Sequence, residues 1–164
     1  ITCYAYNVQV KRVGRFDVQK ANALNIPKKL WSILQKQQSV EFEGKTYTSD
    51  MVLGSPRKGI KVSYCTDTRP TKELPAFVEN SDLFICEGMY GEKDKIQKAK
   101  EYKHMMFTEA AEIAKKANVN EMWLTHFSPA MPFPEEFLPS AKEIFENTHI
   151  GKDRKNVTLL FEED

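Results

Sequence analysis

Four side chains of this sequence stand where chemistry could be done. Asp67 follows the apolar-alternating run 60–65 in "YCTDTRP", and Glu87 closes the apolar run "DLFICE". His126 ends "EMWLTHF", and His104 precedes a helical stretch that starts near 107. In open α/β sheets, ligands bind beyond the C-terminal ends of the strands. Neighbouring strands would bring one carboxylate, a second acid and an imidazole within a few ångströms of each other. Carboxylate and imidazole ligands, with further groups to move protons, are the materials of a metal-assisted hydrolase.

Each position also has a plainer reading. Asp67 can cap a helix starting near Thr71. His126 can be a hydrogen-bonded core histidine, Glu87 a solvated loop acid, and His104 a surface residue of the charged stretch "KAKEYKH". Only their joint placement at one sheet edge favours function. A catalytic zinc takes about three protein ligands. The chain offers Asp67 and His126, with His104 and Glu87 as extras; His149 joins no evident cluster, and no H-x-H pair occurs.

The elements that must hold these residues follow from periodicity. Residues 1–10 alternate and read as a strand. Asp17 caps a short helix that ends at Asn25 and Pro27, and "KKLWSILQKQQ" is a second amphipathic helix. "SVEFEGKTYT" reads as a hairpin turning at Glu43-Gly44, and "GSPRKG" as a loop. Strands at 60–65, 82–87 and 121–127 then alternate with helices near 71–79, 93–102 and 107–117. "PEEFLPSAKEIFEN" reads as a helix and "NVTLLFE" as a last strand. That alternation predicts an α/β sheet.

Length and composition set limits. A chain of 164 residues suits one ordinary domain with a workable core. Its net charge of +1 gives no whole-chain field for nucleic acid, so such binding must come from a local patch. A patch exists: Lys11, Arg12, Arg15, Lys20, Lys28, Lys29 and Lys36 face Asp17 alone over that stretch. The plainer reading of this run is a solvated pair of amphipathic helices. Three cysteines without paired spacing fit a reducing cytosol rather than a disulfide framework. No run is long and apolar enough for a membrane span, and no secretory leader is visible. The chain opens without Met and inside a strand-like pattern, so a trimmed piece of a longer protein is expected.

Taken in order, "GRFD", "NIP" with "LW", "TDTRP", the acid after an apolar strand, "EYKH" with "TEAAEIA", and "LTHFSP" resemble the C-terminal half of the ribonuclease Z family. Those are tRNA 3′-processing endonucleases of the metallo-β-lactamase fold. The resemblance runs the length of the chain. It implies an α/β fold: the C-terminal half of an αββα sandwich with a protruding arm. The arm would span 8–53, and 1–7 with 54–164 would form the half-core, the N-terminal half being absent. Two zinc ions are implied, with manganese or iron as alternatives. Asp67 matches the carboxylate bridging both metals and His126 the histidine closing the second site. His104 matches the histidine that protonates the leaving oxygen, and Glu87 the acid that orients it. Substrate contacts are expected from Arg69 and Ser128, and from Lys11, Arg12, Arg15, Lys28 and Lys29 on the arm. The implied partners are precursor tRNA, the N-terminal half and a second copy in a homodimer, in the cytoplasm and away from membranes. As an isolated fragment lacking most ligands, the chain is expected to be inactive.

Departures from the family pattern keep other readings open. "IPKKLW" lacks the Gly-Pro of the arm, and "CTDT" stands where Ser/Ala-Gly-Asp-Thr is usual. "ICEGM" stands for "HEAT", so Cys86 replaces a histidine, and Ala130 follows "HFSP" where Arg is common. A phosphodiesterase acting on another substrate is one alternative. A non-catalytic RNA-binding or dimerisation module is the other.

Overall fold

The computed structural model describes residues 2–162, so Ile1 and the last two residues of the expected spans lie outside it. The described chain divides into two compact units, 11–59 and 2–10 with 60–162. The expected arm was 8–53; the observed unit begins three residues later and ends six later.

The larger unit is built on a five-stranded sheet in the order β1-β4-β5-β6-β7. Its strands are β1 (Ala5–Arg12), β4 (Arg57–Cys65), β5 (Leu83–Glu87), β6 (Met122–Thr125) and β7 (Thr148–Ile150). From β4 to β7 all neighbours are parallel. Thr66 donates its amide to Tyr4 O while Ser63 bonds Asn7, so β1 runs antiparallel to β4. Parallel strands need crossovers, and helices supply them: α3 (Leu74–Val78), α4 (Ile96–Tyr102), α5 (Phe107–Lys116) and α6 (Leu138–Lys142).

Register decides which residues share a face. Cys65, Cys86, Leu124 and Ile150 lie side by side across four strands, and Ser63, Phe84, Met122 and Thr148 form the row beneath. All eight are buried, and α5 contributes Phe107, Ala110, Ala111, Ile113 and Ala114 to the same core. The opposite face differs. Tyr4, just before β1, and Tyr6, Val8 and Val10 along it alternate and, with Tyr64 of β4, are exposed. One close approach fixes the loop after β5: a Cβ on Gly91 would fall 2.3 Å from Phe137 Cβ.

The smaller unit holds α1 (Val18–Ala23), α2 (Lys28–Leu34) and the hairpin β2 (Ser39–Phe42) with β3 (Lys45–Thr48). Asp17 accepts the Lys20 amide at 2.9 Å, the N-cap its position implied. Glu43 and Gly44 both have positive φ, as a two-residue turn of this kind requires. Ala21, Ile26, Leu30, Leu34 and Val52 make a separate small core, against which Phe16 and Trp31 pack, their rings tilted with centres 5.0 Å apart.

Three expectations fail. The loop expected over "GSPRKG" stops at Pro56, because β4 already begins at Arg57. The segment 156–162 forms no strand; β7 lies earlier, at Thr148–Ile150. A strand exists only where a neighbour takes its hydrogen bonds. The edge of β6 is taken by the shorter "THI", after which Gly151 donates to Leu124 O at 2.7 Å. The helix expected over "PEEFLPSAKEIFEN" is a 3₁₀ turn (Pro134–Phe137) followed by only the five residues of α6.

Candidate metal and proton-transfer site

Strands β4, β5 and β6 end together, and each delivers one polar side chain to the same edge. Asp67 lies two residues past β4, Glu87 is the last residue of β5, and His126 follows β6 directly. His126 has φ 58°, in the left-handed region that a side chain other than glycine rarely occupies. A conformation of this kind costs on the order of 1–3 kcal/mol and turns the imidazole where the strand direction would not. Its Nε2 lies 3.4 Å from Asp67 Oδ1, and both side chains are 46% exposed.

His104 arrives from the connection between α4 and α5. Lys103 takes a left-handed conformation (φ 64°), and the Lys103 and His104 amides both turn back to Ala99 O. That is a Schellman-type helix end, which throws the next residue off the helix axis. The same connection is stitched to the loop after β5: Tyr90 donates to Met105 O and Phe107 donates to Tyr90 O. The His104 ring therefore lies 5.4 Å from that of His126, with Tyr90 edge-on at 6.3 Å. One candidate ligand atom from each of Asp67, His104 and His126 falls within 4.8 Å of the others.

Glu87 lies behind them, 1% exposed. Its Oε1 accepts the amides of Thr68 and Met105, both at 3.0 Å, and its Oε2 that of Met89 at 3.2 Å. Burial pushes its carboxyl up to about 7, the three amides pull it down, and the nearby Asp67 charge adds to the rise. Its Oε1 is 3.4 Å from His104 Nδ1, which is itself buried without a hydrogen bond. Beneath lie two thiols. The neighbouring Cys86 thiol holds Cys65 low, while Cys65 and burial push Cys86 well above the usual thiol range, and Cys65 Sγ donates to Thr66 O at 3.4 Å. All three cysteines are free.

The structure thus brings together Asp67, Glu87, His104 and His126. The other expected residues lie elsewhere or are engaged. The Arg69 guanidinium bonds Glu109 and His104 O, and the Ser128 hydroxyl accepts the Ala130 amide at 3.3 Å. In the smaller unit, Lys29 Nζ sits 3.7 Å above the Phe42 ring, Lys28 and Arg15 are exposed, and Lys11 and Arg12 line a cleft of about 610 Å³ with Gly14 and Lys20. His149 bonds Asn147 and faces Glu121 at 3.7 Å, away from the cluster. Sequence reasoning missed Glu109 and the amides of Thr68, Met89 and Met105. An acid at the third position of a helix signals a bond to the helix start, and Glu109 in "FTE" carried that signal.

A family profile described as a beta-lactamase superfamily domain matches residues 14–127. The chain belongs to that superfamily. Among curated relatives, a ribonuclease Z of Agathobacter rectalis is 57% identical over the whole chain, and one of Clostridium acetobutylicum 57% over 99% of it. The chain spans 54% and 52% of those two proteins, about half their length. Among solved structures, the metallo-beta-lactamase fold protein YhfI of Bacillus subtilis matches with TM-score 0.50 at 30% identity. That match covers 57% of this chain and 37% of YhfI. The short form of human tRNase Z matches in fold with TM-score 0.50 at 18% identity, over 71% of this chain and 37% of that one. The α/β sheet with helices on one face is thus half of a metallo-β-lactamase fold. Membership implies a metal, and the donors fit one: a carboxylate and two imidazoles converge within 4.8 Å. No helix among the described residues is long and apolar enough to cross a membrane.

Proposed function

We propose that the chain is the C-terminal half of a ribonuclease Z-type endoribonuclease that removes 3′ trailers from precursor tRNA by phosphodiester hydrolysis. The observation that carries this reading is the convergence of Asp67, His104 and His126 within 4.8 Å at one sheet edge. Ribonuclease Z relatives that are 57% identical over the whole chain support the substrate class. Asp67 and His126 would help hold the zinc ions, with the remaining ligands on the N-terminal half. When bound, such ions supply Lewis-acid stabilisation of the phosphoryl oxygens.

The chain's own residues would do the rest. His104 gives a proton to the departing 3′-oxygen, which is too basic to leave without one. Glu87 lies 3.4 Å behind its Nδ1 with a carboxyl near 7, so it can take or return a proton at neutral pH. The lysines and arginines of residues 11–36 would grip tRNA phosphates far from the cut, which gives affinity without base reading. The exposed tyrosines and valines on the helix-free face of β1 and β4 support docking of the N-terminal half there. Three free thiols support a cytoplasmic setting, and the family resemblance supports a homodimer.

The test uses the full-length protein. Asp67→Ala should release the metal and abolish cleavage of precursor tRNA, whereas His104→Ala should keep Asp67 and His126 bound to metal and lower kcat about 10²–10⁴-fold. Two zinc ions held by Asp67→Ala with wild-type affinity would sink the assignment. A second reading, hydrolysis of a smaller phosphodiester, is favoured by Ala130: it places no cation after "HFSP", and the Ser128 hydroxyl is turned to its amide. Cleavage of bis(p-nitrophenyl) phosphate with none of precursor tRNA would select it.

A further inference from the structure

Arg69 stands two residues past Asp67, where a substrate contact was expected. It is instead held within the protein. Its Nη1 donates to His104 O at 2.6 Å and to Glu109 Oε2 at 2.7 Å, and its Nη2 bonds Glu109 Oε1. Glu109 Oε2 also accepts the Met106 amide at 2.9 Å. The two side chains are only 23% and 19% exposed. A guanidinium on a carboxylate is a planar, two-bond contact with little freedom to rotate.

The imidazole of His104 is held more loosely. Its Nδ1 makes no hydrogen bond, with Glu87 Oε1 3.4 Å away and the Tyr90 ring edge-on, so its aim depends strongly on the backbone that carries it. That backbone is a short connection between α4 and α5, entered through a left-handed residue. The Arg69–Glu109 pair fixes it at His104 O and at the Met106 amide, and Glu87 fixes it at the Met105 amide. Glu87 and Arg69 are in turn tied together by one loop, because the Thr68 amide also ends on Glu87.

We propose that Arg69 and Glu109 are positioning residues: their ion pair holds the 104–106 backbone so that the His104 imidazole stays aimed at the Asp67–His126 edge. The ion pair also neutralises Arg69, so it is not the substrate contact that the resemblance implied. The catalytic side of this inference rests on the hydrolase reading above.

Leaving-group chemistry tests it in the full-length, metal-loaded protein. The 3′-oxygen of RNA needs a proton to depart, whereas p-nitrophenolate does not. Arg69→Met should lower kcat on precursor tRNA about 10–100-fold, part of the gain expected from a placed proton donor. Its KM and zinc content should stay within about twofold, and most cleavage of bis(p-nitrophenyl) phosphate should survive. Glu109→Ala should match it, Glu109→Gln should fall between, and Arg69→Met with Glu109→Ala should be no worse than either alone. A raised KM at unchanged kcat would make Arg69 an RNA contact and overturn the proposal. Equal loss on both esters together with lost zinc would also overturn it, leaving the pair a scaffold only. Amide hydrogen exchange separates this inference from the substrate assignment. In Arg69→Met, Met105 and Met106 should exchange at least tenfold faster while core amides hold, even if precursor tRNA proves not to be the substrate; unchanged exchange at both would overturn the proposal.

Discussion

Glu87 is a carboxyl taken almost wholly out of water. A carboxyl that is 1% exposed and near 7 is held more readily in its protonated form by the folded protein than by the unfolded chain, where it titrates near 4.5. The stability it contributes is therefore full below pH 4.5 and is lost as pH rises through 7. Integrated over that window, the loss is on the order of 3 kcal/mol. Metal-free full-length protein should accordingly melt at a lower temperature at pH 8 than at pH 5, and Glu87→Gln should flatten that dependence. Thermal unfolding of both proteins at the two pH values is the check, and parallel curves would refute the buried-acid account. The types and order of the four site residues were legible in the sequence because each ends a strand or precedes a helix. The Arg69–Glu109 contact was not: it joins residues forty apart through side-chain directions that no periodicity encodes.

At the scale of elements, what could be read was what is local. The turn at Glu43-Gly44 and the cap at Asp17 need only neighbours in sequence, and both form as expected. The final strand needed a partner from elsewhere in the chain, and the pattern of "NVTLLFE" could not say which edge was already taken. The end of α4 shows how local geometry reaches the site. Lys103 holds a left-handed conformation at the point where the chain turns to present His104. Lys103→Gly should remove the side-chain penalty there and raise stability by about 0.5–1 kcal/mol, read as a higher denaturant midpoint with unchanged m. A loss of stability would show that the lysine side chain, rather than its backbone, is what the turn requires.

For the whole molecule, helices finish one face of the sheet at β5 and β6, while the opposite face is bare along β1 and at Tyr64. Helices bury Phe84, Cys86, Met122 and Leu124, while Tyr4, Tyr6, Val8, Val10 and Tyr64 meet solvent. An apolar stripe of this kind binds whatever apolar surface it meets. The isolated 164-residue chain should bind zinc at least about 100-fold more weakly than the full-length protein, since a catalytic zinc takes about three protein ligands and most would lie on the other half. Adding a separately produced N-terminal half should recover the difference. Equilibrium dialysis measures both, and full affinity in the chain alone would place every ligand within it.

The bare stripe also carries its own reporters. Tyr4, Tyr6 and Tyr64 expose their rings, whereas Trp123 is buried with Lys155 Nζ 4.3 Å from its ring centre. Phenol emission quenched by acrylamide before docking and shielded afterwards would follow the joining of the two halves in real time, with no dye attached.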